Sequence, residues 1–119
     1  MSGRDLPDGI SLDEVFTILS NARRRHVVEL LVEHDGEMTF RELTDAVAKR
    51  ESEGPVGYDA RKRVYVSLRQ SHLPRLADAD VIEYDRDRGA IEATTLLDTV
   101  RRPLEAVTPM LESPASTDG

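Results

Sequence analysis

Two Ser/Thr-x-x-Glu boxes fix where helices can begin in this chain: Ser11-Leu-Asp-Glu14 and Thr39-Phe-Arg-Glu42. In such a box the hydroxyl accepts from the third helical amide while the glutamate reaches back to the cap, so two orphan N–H groups are satisfied at once. The first box predicts a short helix to about Leu19, with Leu12, Val15, Phe16 and Leu19 as its apolar face. Ser20-Asn21 interrupts it and caps a second helix from about Ala22 to His34, which stops at Asp35-Gly36, a C-terminal glycine signal. Val27, Val28, Leu30 and Leu31 form its buried stripe. Glu37-Met-Thr39 has room for one short strand, and the second box opens a third helix with Phe40, Leu43, Ala46 and Val47 inside.

The second half carries different punctuation. Glu51 to Gly57 is rich in turn residues, and a helix follows whose face is Val64, Tyr65, Leu68 and His72. Asp59 is placed to cap its first turn, and Pro74 predicts a kink or restart near Ser71-His72. Val81-Ile-Glu-Tyr-Asp85 and Ala90-Ile-Glu-Ala93 alternate around the tight turn Arg86-Asp-Arg-Gly89, which reads as a hairpin. From residue 95 to 112, Val100, Leu104, Val107 and Leu111 follow a 4-3-4 spacing, with Leu97 ahead of them. That is the seam of a short coiled-coil contact, interrupted by Pro103 and Pro109. The expected fold is mainly α with a small β-hairpin, an α+β arrangement in one domain, with residues 1–10 as a poorly ordered lead-in and 113–119 as a tail.

Composition removes several classes of function. Without cysteine the chain has no disulfide, no thiolate metal site and no cysteine nucleophile. His26 and His34 stand two turns apart, too far to share a metal in the i,i+4 manner, so neither metal nor cofactor is expected. There is no glycine-rich phosphate loop, no nucleophile elbow and no HExxH helix, so the chain is not expected to be an enzyme. No apolar run approaches the roughly 18 residues of a membrane span, and the N-terminus has no secretory apolar region. A soluble, cytoplasmic protein is therefore expected.

One stretch breaks the acidic character of the whole. Between Asp59 and Asp78 there is no acidic residue, but Arg61, Lys62, Arg63, Arg69 and Arg75 are present. These five cations leave the remainder of a chain of net charge −7 at about −12. Read as a helix, the stretch turns Lys62, Arg63, Val66, Ser67, Arg69 and Gln70 away from the apolar face. Ordinary solvated helix faces mix signs, so an acid-free face suits a phosphate-bearing partner, double-stranded DNA. Arg63 and its basic neighbours suit guanine edges, and Gln70 suits adenine. Arg86 and Arg88 at the hairpin tip would reach phosphates or the minor groove. Arg23-Arg24-Arg25 sits in a helix first turn, where the dipole disfavours cations. These arginines would hold an external DNA phosphate or pair with Asp13, Glu14 or Glu29; both readings stand.

The order helix, helix, strand, helix, helix, hairpin, helix is that of a winged helix-turn-helix domain. Ile18-Leu-Ser-Asn-Ala-Arg-Arg-Arg-His-Val-Val-Glu-Leu-Leu31 resembles the opening helices of arsenic-repressor-like transcription regulators, and Thr39-Phe-Arg-Glu-Leu43 resembles the start of their helix-turn-helix. His72 to Asp85 looks like their junction into the wing, and Tyr65-Val-Ser-Leu-Arg-Gln-Ser-His-Leu-Pro-Arg-Leu76 resembles the signature of small winged-helix proteins of halophilic archaea. The resemblance spans about residues 11–100. An acidic surface with only Lys49 and Lys62 as lysines is similar to proteins of salt-loving archaea. The chain departs from the pattern in a longer segment before the basic helix, Glu51 to Tyr58, and in lacking the cysteine pairs or histidine-rich sites of metal sensors.

The resemblance implies a winged helix-turn-helix over residues 11–93, a C-terminal dimerisation helix over 94–112, and a homodimeric DNA-binding transcription regulator. Its dimer contact would use Leu97, Val100, Leu104, Val107 and Leu111. The alternative is a winged helix that no longer binds DNA and recruits a protein partner through that same seam.

Overall fold

A computed structural model describes residues 10–112, without the side chains of Val107, Thr108 and residues 110–112. Residues 1–9 of the expected lead-in over 1–10, the tail over 113–119 and the seam positions Val107 and Leu111 lie outside the described residues or side chains. Ile10, by contrast, is no part of a loose lead-in: it is buried in the core, where its apolar side chain packs.

Local capping sets the first half. Helix α1 (Leu12–Leu19) begins at Ser11, whose hydroxyl accepts from the Glu14 amide at 3.1 Å. Helix α2 (Ala22–Glu33) begins at Asn21, whose Oδ1 accepts from the amides of Arg23 at 2.9 Å and Arg24 at 3.1 Å. It ends where Asp35 and Gly36 take φ of 58° and 89°, the left-handed turn that closes a helix. Strand β1 (Glu37–Thr39) runs into helix α3 (Phe40–Glu51) through a complete capping box: Thr39 Oγ1 accepts from Glu42 N at 3.0 Å, and Glu42 Oε1 accepts from Thr39 N at 2.9 Å.

The basic stretch is one continuous rod. Helix α4 (Tyr58–Ser67) passes into a π-helical segment (Leu68–His72) and then helix α5 (Leu73–Asp78). Gly57 is its N-cap and no side chain closes that turn, so Asp59 lies inside the first turn and does not cap it as expected. The interruption expected near Ser71-His72 is present as the π-helical change of pitch, and α5 resumes at Leu73 with Pro74 in its first turn. Pro74 has no N–H to give the carbonyl four residues back, and the turn ahead of it widens until Leu73 N donates to Leu68 O, five residues back.

Strands β2 (Ile82–Asp85) and β3 (Ala90–Ala93) form the hairpin, and β3 also pairs antiparallel with β1, giving the order β1-β3-β2. The short strand expected at Glu37–Thr39 is thus present, and it joins the hairpin as the third strand of one sheet. Met38 lies opposite Ile91 in that register and both are buried, so the third strand carries its apolar side chain onto the core. Helix α6 (Leu96–Glu112) then packs across α2 and α1. The protein is a mainly helical α+β fold whose element order is compatible with a winged helix.

Three apolar assignments change. Leu12 and Phe16 are exposed while Val15 and Ile18 are fully buried, because the inward arc of α1 runs through Val15, Ile18 and Leu19 and leaves the other two on its flank. Tyr65 is exposed, since Val64, Leu68 and His72 (each four residues from the next) take the inner line of the rod and Tyr65 stands about 100° away. Leu97, Val100 and Leu104 are buried within this chain, under α1 and α2. They are core residues, and a second copy cannot use them without dismantling that core.

Candidate nucleic-acid interface

The three arginines of α2 are all engaged within the chain. Arg24 is buried: its Nε donates to Ile18 O at 3.1 Å, its Nη2 to Thr17 O at 2.9 Å, and its Nη1 to Nδ1 of His72 at 3.2 Å. Arg25 Nη1 donates to Leu19 O at 2.6 Å. These carbonyls end α1, where four acceptors have no intrahelical partner and the dipole is negative. Two of the three cations that looked misplaced at the start of α2, Arg24 and Arg25, therefore serve the end of the helix before it. Arg23 grips Glu51 in two parallel bonds of 2.6 Å, which hold the carboxyl below its ordinary pKa. Of the expected partners Glu29 is bound to Arg50, and Arg23 and Arg24 are engaged by Glu51 and by helix-end carbonyls, so they leave the DNA-contact set.

The basic rod behaves differently. Lys62, Arg63 and Gln70 are exposed, and Ser67 and Arg69 are half-buried on its outer side. At the hairpin tip Arg86 and Arg88 are exposed, with the turn held by Asp85 Oδ1, which accepts from the Arg88 amide at 3.1 Å. Among the described residues, the side chains of Lys62, Arg63, Arg69, Arg86 and Arg88 make no hydrogen bond or ion pair. By contrast Arg23, Arg50 and Arg101 are engaged by carboxylates. Arg61 falls between the two groups, at 2.8 Å from Asp45 on an exposed surface.

Besides the packing of α5 on β2, the α4 part of the rod and the hairpin tip come together over α3. Arg61 and Tyr65 from α4, Arg41 and Thr44 from α3, and Arg88 with Gly89 from the hairpin border a common cavity. Arg41 was not singled out in the sequence. Its signal was slight, a lone arginine inside the second capping box, and its side chain has no partner among the described residues. No group of three or more potential metal ligands occurs among the described residues, and no helix there is long and apolar enough to cross a membrane.

A small helical α+β domain with a basic rod whose cations other than Arg61 are unpaired among the described residues, and with an arginine-tipped hairpin, is the class these features define. Residues 16–92 match the family model described as a domain of unknown function, DUF7344, and the chain belongs to that family. No curated protein and no solved structure matches it. The family match runs from α1 to β3 and stops before α6.

Proposed function

We propose that this protein is a DNA-binding transcription regulator of the winged-helix kind, reading the major groove with the outer face of α4 and the π-helical segment. One observation carries the reading: in an acidic chain that ties most of its other arginines to carboxylates or carbonyls, the cations of this face and of the hairpin tip are left without partners among the described residues. Unpaired arginine and lysine on a protruding helix are what phosphate and guanine edges require. Lys62, Arg63, Ser67, Arg69 and Gln70 would face the groove, with Arg86 and Arg88 on the flanking backbone. The reading carries with it a cytoplasmic location, beside the genome, and a homodimer whose contact falls on the exposed Leu12 and Phe16 of α1.

A second reading, a module that binds a protein partner in place of DNA, draws on that same exposed pair. Fluorescence anisotropy separates the two. The regulator binds the duplex upstream of its own gene more tightly than a random duplex. With about five phosphates neutralised, its affinity falls with a log–log salt slope near −4.5. Arg63→Glu with Arg69→Glu abolishes that binding in a folded protein. Absence of binding to either duplex at low salt overturns the DNA reading in favour of the protein partner.

A further inference from the structure

The cavity between α3, α4 and the hairpin has the make-up of a small-molecule site, and this does not rest on the DNA reading. Its volume is about 400 Å3, at the small end of the ~300–1,000 Å3 range of ligand pockets and the size for one ring with its substituents. The apolar wall is an aromatic pair: Phe40 and Tyr65 stand edge to face, with ring centroids 4.8 Å apart at 70°. The rim carries Arg41, Arg61 and Arg88. Asp45, the one acid on the lining, is already paired with Arg61 at 2.8 Å, so the rim keeps a net positive charge.

At the base lies Thr44, 3% exposed, whose hydroxyl oxygen is buried with no hydrogen-bond partner among the described residues. A buried hydroxyl without a partner costs stability, and a polar group brought in by a ligand would satisfy it.

We infer that this cavity binds a single-ring aromatic carboxylate that carries a hydroxyl at the far end of its ring. Arg41 and Arg88 take the carboxylate at the rim through charge-assisted bonds. The ring lies against Phe40 and Tyr65, and the ring hydroxyl meets Thr44 at the base. DNA phosphate fits less well, because it brings no apolar surface to the aromatic wall and cannot descend to a buried hydroxyl.

The probes are 4-hydroxybenzoate and benzoate, titrated into the full chain by calorimetry at low salt, without DNA. The expected result is saturable binding of both, with 4-hydroxybenzoate preferred by about tenfold, the equivalent of one added hydrogen bond to a buried group. Thr44→Val, which keeps the shape of the side chain, removes that preference while leaving benzoate affinity unchanged. It also raises or preserves the melting temperature of the free protein, so loss of preference cannot be loss of fold. Arg88→Gln weakens both acids by about tenfold or more. Failure of both acids to bind at millimolar concentration overturns the proposal, as does binding that neither Thr44→Val nor Arg88→Gln changes. Neither failure touches the DNA reading, which is measured with duplex alone.

Discussion

Arg24 reaches from the first turn of α2 to the π-helical segment of the basic rod, where its Nη1 donates to Nδ1 of His72 at 3.2 Å. A guanidinium can only donate, so Nδ1 must be the unprotonated nitrogen and His72 is neutral in the fold. The same arginine holds two terminal carbonyls of α1. One side chain thus ties three helical elements together, and the proposed DNA-reading rod is anchored through it.

Acidification should therefore loosen this junction. Burial, then Arg24, then Arg23 push the His72 pKa below the ordinary imidazole value of 6.5, with Glu51 opposing. His26 is lowered in the same direction, chiefly by burial. A group whose folded pKa is depressed in this sense takes up its proton more readily when unfolded. Stability is then complete above about pH 6.5 and declines as pH falls below it, until the folded pKa is passed. Thermal unfolding between pH 8 and pH 5 measures this: the melting temperature should fall through the acidic half of the range, and His72→Gln should flatten the decline. An unchanged profile in that variant would remove His72 as the cause.

Replacing Arg24 tests the anchor itself. Arg24→Ala leaves the Ile18 carbonyl and a buried imidazole nitrogen unpaired, while Thr17 O keeps its bonds from Ser20, and should cost about 2–4 kcal/mol in chemical denaturation. Arg24→Lys should recover little of this, because an ammonium on a flexible stem cannot span three acceptors laid out for a planar fork. Near-complete rescue by lysine would mean that charge alone, and not the fork, holds the three elements.

The salt dependence of DNA binding distinguishes arginines that look alike in the sequence. Arg63→Ala should reduce the log–log slope by about 0.9, one phosphate's share. Arg23→Ala should leave the slope as it is, because that guanidinium is already neutralised by Glu51. Anisotropy at three or more KCl concentrations measures both, and equal slope changes in the two variants would contradict the division between paired and free cations.

Helix starts were legible because capping is local: Ser11, Asn21 and Thr39 each act on amides within three residues. Arg24 and Arg25 serve the helix before them and not the one they open. Their proper signal was position, immediately after a helix end whose carbonyls need donors. Pairing of β1 with β3 joins Glu37 to Glu92 across nearly half of the chain, and no local pattern carries such a contact. The cavity was invisible for the same reason: Arg41, Thr44, Tyr65 and Arg88 meet only through tertiary packing. Periodicity in α6 showed which face is apolar but not whose surface covers it, and the α1–α2 pair of the same chain covers its first half.

That ambiguity in α6 leads to a prediction about assembly. Leu104 is 1% exposed within the single chain, so Leu104→Ala opens a cavity in the core and should cost about 2–5 kcal/mol, at any protein concentration. Phe16 is 57% exposed and contributes little to that core. If two copies associate through α1, Phe16→Ser should shift sedimentation equilibrium toward the monomer and leave unfolding of the monomer nearly unchanged, because a half-exposed ring loses mainly its intermolecular contacts. The two substitutions thus separate folding from assembly. A wild-type protein that sediments as a dimer and remains one with Phe16→Ser would move the contact away from α1.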